Sequence, residues 1–303
     1  MFSFDFVHHG AGVFWAIGWA MVVLSWLVYL PARWVGLIGV LIVILHNSFD
    51  NATAAQLRIP EWLWEILHKP GDAPVMQVYF NDWTRTILMM PGDPAVPETL
   101  TFGTGYCLIP WIGVMAAGFG FGSILQLEPT SRKKCLLHLG ASLTLAFIIL
   151  RLTNAYGDPS RWSLQKSNLF TFLSFLNCTK YPASLLYLLM TLGPAIFLIG
   201  IFDRPLSPLA KPLLVFGRVP MFYYILHIPL IHGGAVLLDY ARFGWSPLTH
   251  HGPWGLENLP PDYGVNLGYV YLIWIGVVLL LCLPCRWFAE VKRRHRSAWL
   301  SYI

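Results

Sequence analysis

Residues 181–202 read YPASLLYLLMTLGPAIFLIGIF, a run of 22 positions without a single charged side chain. A helix needs about 20 apolar residues to cross the hydrocarbon core of a bilayer, so this segment predicts a transmembrane helix. The whole chain has the same character, because its 303 residues are 56% hydrophobic and only 12% charged, with a mean hydropathy of +0.58. Soluble domains carry about 25% charged residues. The composition therefore excludes a water-soluble fold.

Comparable apolar runs recur from one end of the chain to the other. The further runs are 11–30, 34–49, 104–127, 135–151, 212–238 and 267–285. Together they predict an all-α, polytopic transmembrane helix bundle of about seven spans, forming one integral membrane domain over residues 1–303. Pro220 and Pro229 fall in the sixth run, and a break of the helix is expected at either of them. No soluble domain is expected.

The charges of the connecting segments predict the orientation in the membrane. One alternating set of connections carries a net charge of +8 and the other set −4. Basic residues mark the cytoplasmic side, so we expect an outer N-terminus, a cytoplasmic C-terminus and an outer loop at 50–103. The stretch 151–180, at +3, departs from this bias. We expect Arg151 to snorkel from a helix end and Lys180 to face the protein interior. The excess of basic residues then needs no nucleic acid to explain it.

The most informative segment is 216–232, FGRVPMFYYILHIPLIH, which places ionisable side chains within or beside an otherwise apolar span. Such residues are costly at membrane depth, so they are by default a functional hypothesis. A histidine there accepts a proton from an attacking hydroxyl or amine near neutral pH. The alternative is that the polar side chains only form hydrogen bonds between helices. The residues concerned are Arg218, Tyr223, Tyr224, His227 and His232.

A second candidate site lies at the predicted outer end of the second span. His46 and Asp50 are four residues apart, which places them on one helix face. A carboxylate that holds an imidazole in one tautomer suits a general base. The alternative is that this segment only ends the helix and turns the chain.

Two further polar segments are expected on the outer side. Arg151, Asn154 and Asp158 follow the fourth span, and Lys180 leads into the fifth. Together they predict a polar vestibule for a sugar, a phosphate or another polar acceptor. Helix capping and snorkelling are the alternative.

On the predicted inner side, Arg132, Lys133 and Lys134 form a basic rim with the tail at 293–296. Membrane topology and anionic lipid explain such a rim, and so does a landing site for a phosphorylated cytosolic donor.

The cysteines predict no metal site. Cys282 and Cys285 lie in a hydrophobic helix without a second ligand pair nearby, so neither a metal nor a redox dithiol is expected. Cys107 and Cys178 both lie on the predicted outer side, and the sequence leaves their pairing open.

Six motifs carry a resemblance to a known family. The chain resembles a bacterial family of multi-pass membrane proteins of unknown function that is related to the catalytic domain of heparan-alpha-glucosaminide N-acetyltransferase. More distantly it is similar to the wider group of transmembrane acyltransferases. The motifs are WAIGWAMVVLSWLVYLP (15–31), LIPWIGVMAAGFGFG (108–122), RLTNAYGDP (151–159), LNCTKYP (176–182), FGRVPMFYYILHIPLIH (216–232) and CRWFAEVKRRHRSAWLSYI (285–303).

The resemblance implies a protein of the bacterial inner membrane that transfers an acetyl or other acyl group from cytosolic acyl-CoA. The acceptor is a sugar amine or hydroxyl presented on the outer face. His227, Arg218 and Lys180 are the candidates for catalysis, and Arg132 and Lys133 are the candidates for the CoA phosphates. The remaining candidates, expected on the acceptor side, are His46, Asp50, Arg151, Asn154, Asp158, Tyr223, Tyr224 and His232.

One departure from the family pattern affects the expected activity. The resemblance starts at a later span, and the upstream helices that carry a catalytic histidine in such proteins have no counterpart here. A non-catalytic remnant or assembly partner is therefore one alternative, and a transporter or flippase is another. The acyl group, the acceptor and the oligomeric state stay open.

Overall fold

The computed structural model describes residues 8–70, 72–78, 98–205, 211–244, 264–295 and 300. They belong to two compact units, one within 5–204 and one formed chiefly by 205–303, and each unit is described by itself.

The first unit is built from helices joined by short turns and two longer connections. Its helices are α1 (Val13–Leu27), α2 (Ala32–Leu45), a 3₁₀ turn (His46–Phe49), α3 (Ala54–Leu57), α4 (Glu61–Leu67), α5 (Leu108–Leu125), α6 (Pro129–Thr153), α7 (Asn168–Leu176) and α8 (Leu185–Phe202).

The second unit contains fewer elements in its described residues. They are a 3₁₀ turn (Lys211–Leu213), α9 (Leu214–Arg218), α10 (Pro220–Phe243) and α11 (Leu267–Arg294).

Six of the described helical segments are long and apolar enough to cross a bilayer, and α1 is a shorter apolar helix of 15 residues. This confirms the all-α, multi-pass transmembrane fold. The sixth predicted run is divided as expected at Pro220, which begins α10 after the short α9. Pro229 lies inside α10 without ending it. The fourth span is longer than predicted, because α6 extends over both ends of the predicted run.

Apolar side chains cover the outside of these helices. Leu237 and Leu283 are each 70% exposed, and Trp274 is 57% exposed. A bilayer supplies no hydrophobic driving force for burying such groups, so lipid tails are their natural surroundings. The exposed apolar surface therefore agrees with a membrane-embedded bundle.

Small residues let the long helices approach closely. A Cβ atom on Gly193 of α8 would lie 2.7 Å from Thr144 Oγ1 of α6, and one on Gly36 of α2 would lie 3.0 Å from the Cα of Gly120 of α5. Glycine permits such contacts because its backbone presents no side chain to the neighbour. These crossings hold α2 against α5 and α6 against α8.

A small sheet, which the sequence did not predict, lies before α5. It has the strand order β1–β3–β2, with β1 at His8–Ala11, β2 at Asp72–Val78 and β3 at Glu98–Thr104. Strand β1 pairs parallel to β3, and β2 pairs antiparallel to β3. Because β3 ends just before α5, the sheet ties the long loop to the start of that span.

Candidate functional site

The start of α8 is the point where three segments of the first unit meet. The side-chain oxygen of Asn47 accepts a hydrogen bond from the first N–H of α8 at 2.8 Å, the carbonyl of Gly157 from the second at 2.9 Å, and Ser184 Oγ from the third at 3.0 Å. A helix start exposes N–H groups that have no partner within the helix. Here they are satisfied by the end of α2 and by the connection after α6, so these elements are fixed together.

Asp158 is the most heavily bonded carboxylate of this region. It accepts hydrogen bonds from the backbone N–H of Ser160 at 2.7 Å and of Thr179 at 2.8 Å. The hydroxyls of Thr179 and Ser184 donate to it at 2.9 Å and 2.7 Å. A carboxylate with four donors already in place holds the loop, which favours the structural alternative for this residue.

Arg151 does not snorkel, contrary to the prediction. It is 1% exposed, and its guanidinium donates to the carbonyls of Ser160 at 2.7 Å, Phe175 at 2.9 Å and Asn177 at 2.7 Å, with a longer contact of 3.2 Å to Ser174. The five N–H donors of arginine suit such a cluster of acceptors. The cation is thus held by backbone dipoles and organises the connection between α6 and α8.

Asn154 has a similar structural role one turn further on. It ends α6 in the left-handed conformation, with φ at 50°. Its side chain accepts from the backbone N–H of Trp162 at 3.2 Å and donates to the carbonyl of the same residue at 2.9 Å. These bonds leave it capping the helix rather than facing an open vestibule.

The predicted pairing of His46 with Asp50 is wrong, because Asp50 bonds to a different histidine. The ring nitrogens of His46 lie 2.9 Å from the carbonyl of Val43 and 3.0 Å from that of Ala183. Asp50 Oδ1 lies 3.1 Å from Nε2 of His68, and Oδ2 accepts from Asn47 at 2.9 Å. The carboxylate-held imidazole is therefore present at this end of the bundle, with His68 as its histidine.

His68 is buried and has one ring nitrogen to spare. It is 2% exposed, its ring packs against Trp64 with centroids 5.0 Å apart, and among the described residues Nδ1 has no hydrogen-bond partner. The indole N–H of Trp111 in α5 is also buried without a partner in the described chain. Buried polar atoms are almost always satisfied, so such atoms require an explanation. Each of these two atoms is thus available to a further polar group.

The helix that carries His68 is anchored to the start of α5. Thr104 Oγ1 and Cys107 Sγ both donate to the carbonyl of Glu65, at 3.1 Å and 3.4 Å. This fixes α4 beside the first turn of α5, the helix that contains Trp111. These two hydrogen bonds join the segment that contains His68 to the residues just before α5.

Lys180 is exposed and does not face the interior, contrary to the prediction. Its ammonium lies 5.1 Å from the centroid of the Tyr181 ring, and hydrogen bonding to the Tyr181 phenol raises the pKa of Lys180. The Tyr181 hydroxyl lies 3.3 Å from that of Tyr106, and hydrogen bonds with Tyr106 and Lys180 lower the pKa of Tyr181. A lysine with a raised pKa stays protonated, so its chemistry is that of a cation and not of a base.

All five cysteines are free, so Cys107 and Cys178 do not form a disulfide. Burial raises the pKa of Cys107 to about 12 and that of Cys178 to about 11. Both remain thiols at neutral pH and are poor nucleophiles. Within the described ranges, no group of three or more His, Cys, Asp or Glu side chains is placed to hold a metal ion.

The opposite, basic end of the first unit is closed by an ion pair. Arg132, near the start of α6, donates twice to the carboxylate of Asp203 just after α8, with both distances at 2.8 Å. This bidentate pair ties the two helices together, so the observed contact of Arg132 is structural. Lys133 is exposed beside it. An anion-binding role for either residue stays a prediction.

The remaining predicted residues lie in the second unit. His227 Nδ1 donates to the carbonyl of Tyr223 at 3.1 Å, and the two rings are stacked with centroids 5.1 Å apart. The ring of Tyr224 meets His227 edge-on at 5.2 Å. His232 lies further along α10. These contacts place the aromatic groups around His227 within one helix.

Arg218 lies beside the sixth membrane span and not within it, and the sequence left both placements open. It ends α9, two residues before α10 begins, and it is exposed. It lines a cavity with the last turns of α11. Lys180 belongs to the first unit, so the predicted catalytic set is divided between the two units.

No pattern in the sequence predicts His68 or Trp111 as a site residue. Asp50 and His68 are 18 residues apart, which matches no helical spacing, and Trp111 is one of 14 tryptophans in the chain. A histidine at the end of a short helix in an acidic loop was the available signal, but only the fold brings it to Asp50. Comparison with family models, with curated proteins and with solved structures finds no match.

Proposed function

We propose that the protein is a membrane-embedded acyltransferase in which His68, held by Asp50, is the general base for an acceptor that arrives from the outer face. The proposal combines the resemblance of the sequence motifs with the polar end of the first unit. The carrying observation is the contact between Asp50 and the buried His68, whose second ring nitrogen has no partner among the described residues.

The arrangement supports proton abstraction. If the Nε2 proton of His68 is donated to the Asp50 carboxylate, Nδ1 keeps a lone pair available as an acceptor. A hydroxyl or amine placed at Nδ1 donates its proton there as it attacks. We further propose that the indole N–H of Trp111, which is buried on the neighbouring helix without a partner in the described chain, orients the polar acceptor.

The chemical step forms one bond and breaks another. The acceptor oxygen or nitrogen attacks the carbonyl carbon of an acyl-CoA thioester, and its proton passes to His68 Nδ1. The carbon–sulfur bond then breaks, and the departing CoA thiolate takes up the proton. Positioned acid–base catalysis of this kind contributes about 10²–10⁴-fold.

Charge distribution supports the proposed orientation. The polar end of the first unit is formed by segments that the charge bias predicts to lie outside, and Arg132 and Asp203 lie at the other end of α6 and α8. On this basis we place the protein in the cytoplasmic membrane of a bacterium, with acyl-CoA on the basic side and a glycan or similar acceptor on the other.

The test is an acyl-transfer assay in proteoliposomes. Radiolabelled acetyl-CoA is supplied on the cytoplasmic side and glucosamine on the other, and the rate of product formation is measured for wild type and His68→Ala. We expect the variant to lose about 10²–10⁴-fold in kcat. Asp50→Asn is expected to lower kcat in the same direction, because the imidazole is no longer held by a carboxylate.

His138→Ala is the matched control, since His138 is an exposed histidine in α6 away from this pair. It is expected to keep the wild-type rate. The proposal is overturned if wild type transfers no acyl group to sugar amines or hydroxyls, or if His68→Ala is folded and fully active. In a parallel assay with radiolabelled glucosamine, uptake without acylation would instead support a transporter.

A further inference from the structure

The basic end of the second unit encloses a cavity of about 440 Å³ between α9 and the last turns of α11. Arg218 approaches it from α9. The other charged lining groups come from α11, and they are Arg286, Glu290, Lys292 and Arg293. The lining therefore carries four cationic groups and one carboxylate.

A packed apolar cluster supports this cavity. Val219, Cys285 and Phe288 are buried together, and the rings of Phe222 and Phe288 are stacked with centroids 4.2 Å apart. Val215 and Ala289 pack against the same cluster and also line the cavity. The apolar cluster thereby holds α9 and α11 together, and the cationic side chains project from fixed backbones.

The lone carboxylate is already occupied. Glu290 accepts two hydrogen bonds from Arg293, at 2.8 Å and 2.7 Å, and one from Arg294 at 2.7 Å. In the described chain, Arg218, Arg286 and Lys292 have no ion pair with a carboxylate. Within the described residues, these three cations thus line the cavity without a carboxylate paired to them.

Helix electrostatics explain only part of this charge. The C-terminal end of a helix carries about half a negative charge, and a single cation is enough to offset it. The orientation of a membrane protein depends on basic residues close to the cytoplasmic ends of its spans. It does not require those residues to face one cavity. The excess of converging cations is typical of a site for a multiply charged anion.

We propose that this cavity binds a phosphate-bearing ligand, either a soluble diphosphate or the headgroup of an anionic phospholipid. Phosphate oxygens accept from guanidinium groups in bidentate geometry, and the two arginines Arg218 and Arg286 supply such groups from different helices. This inference does not depend on the acyl-transfer proposal.

The experiment has one arm for each source. Purified protein in neutral detergent is titrated with inorganic pyrophosphate at low salt, and binding is followed by calorimetry. In parallel, protein in nanodiscs of phosphatidylglycerol and phosphatidylcholine is analysed by native mass spectrometry for retained lipid. Saturable pyrophosphate binding identifies a soluble ligand, and selective retention of phosphatidylglycerol identifies a lipid.

The double variant Arg218→Gln/Arg286→Gln is expected to weaken either interaction about tenfold or more, since charge-assisted bonds to phosphate are removed. Lys166→Gln is the matched control, because it removes an exposed charge outside the cavity. Lys292→Gln gives a second, milder variant should the double variant fold poorly. The proposal fails if neither probe binds wild type, or if Lys166→Gln weakens binding as much as the cavity variants.

Discussion

The polar end of the first unit and the basic cavity of the second contain similar side chains in opposite electrostatic situations. Arg151 is buried and bonded to four backbone carbonyls, whereas Arg218 and Arg286 are exposed and face a shared cavity. In the first region the protein itself satisfies the cation. In the second it leaves the cations available. A functional arginine is thus better identified by its lack of internal partners than by its burial.

The strongest test of this comparison is Arg151→Met. The substitution removes four charge-assisted bonds and leaves the carbonyls around it without a donor, so we expect a loss of more than about 3 kcal/mol in the free energy of unfolding. Chemical unfolding in mixed micelles measures the change. Arg161→Met, an exposed arginine in the same connection, is expected to have almost no effect. If Arg151→Met and Arg161→Met are equally stable, the bonds to Arg151 do not stabilise the fold, and the contrast with the basic cavity is lost.

A smaller loss is expected from Asp158→Asn. The amide keeps one acceptor oxygen but turns an N–H toward donors such as Thr179 N and Ser184 Oγ. We expect a loss of about 2 kcal/mol in the same unfolding measurement. Glu128→Gln, an exposed acid at the start of α6, is the control and should change stability little. If Asp158→Asn is as stable as wild type, the hydrogen bonds to Asp158 contribute little to the stability of the fold.

The ion pair at the basic end predicts a weak pH dependence. Its hydrogen bonds from Arg132 lower the pKa of Asp203, so the pair stabilises the folded protein above the ordinary aspartate pKa of about 4. That contribution is lost as the pH falls through the lowered pKa of the folded state. Because the pair is solvent-screened, the effect is expected to be smaller than for either substitution above.

The measurement is the midpoint of thermal unfolding between pH 7 and pH 3, compared for wild type and Asp203→Asn. The two curves should differ at neutral pH and converge in acid. Parallel curves over the whole range would show that the pair does not stabilise the folded state.

The smallest effect on stability is expected for Arg286→Gln in the basic cavity. Removing one of several like charges costs no internal bond, so the free energy of unfolding should stay within about 0.5 kcal/mol of wild type. Thermal unfolding without added phosphate is the measurement. A large loss would mean that Arg286 is satisfied by the protein, as Arg151 is, and would contradict the contrast between the regions.

Local features of the sequence were predictive where local physics decides the structure. The apolar runs were identified because membrane helices need a fixed length of apolar residues, and the break at Pro220 follows from the missing N–H of proline. The errors concern the surroundings of polar side chains. Arg151 was expected to snorkel and Lys180 to face inward.

These errors share a cause. The carbonyls that bind Arg151 come from residues 9 to 26 positions away, and the amide of Asn47 reaches an N–H that lies 138 residues further along the chain. Helical spacing pairs His46 with Asp50, but the loop returns His68 to the same carboxylate. Helical or strand periodicity in the sequence does not reveal such contacts between distant segments.

The sequence by itself determined that the chain is a multi-pass helical membrane protein, because each span can be identified from the length and apolar composition of one continuous segment. It also predicted an orientation from the charges of the connections. The tertiary structure alone decided which polar groups are satisfied internally and which remain free to bind, since that depends on contacts between distant segments. His68 and the cationic cavity became visible only through those contacts.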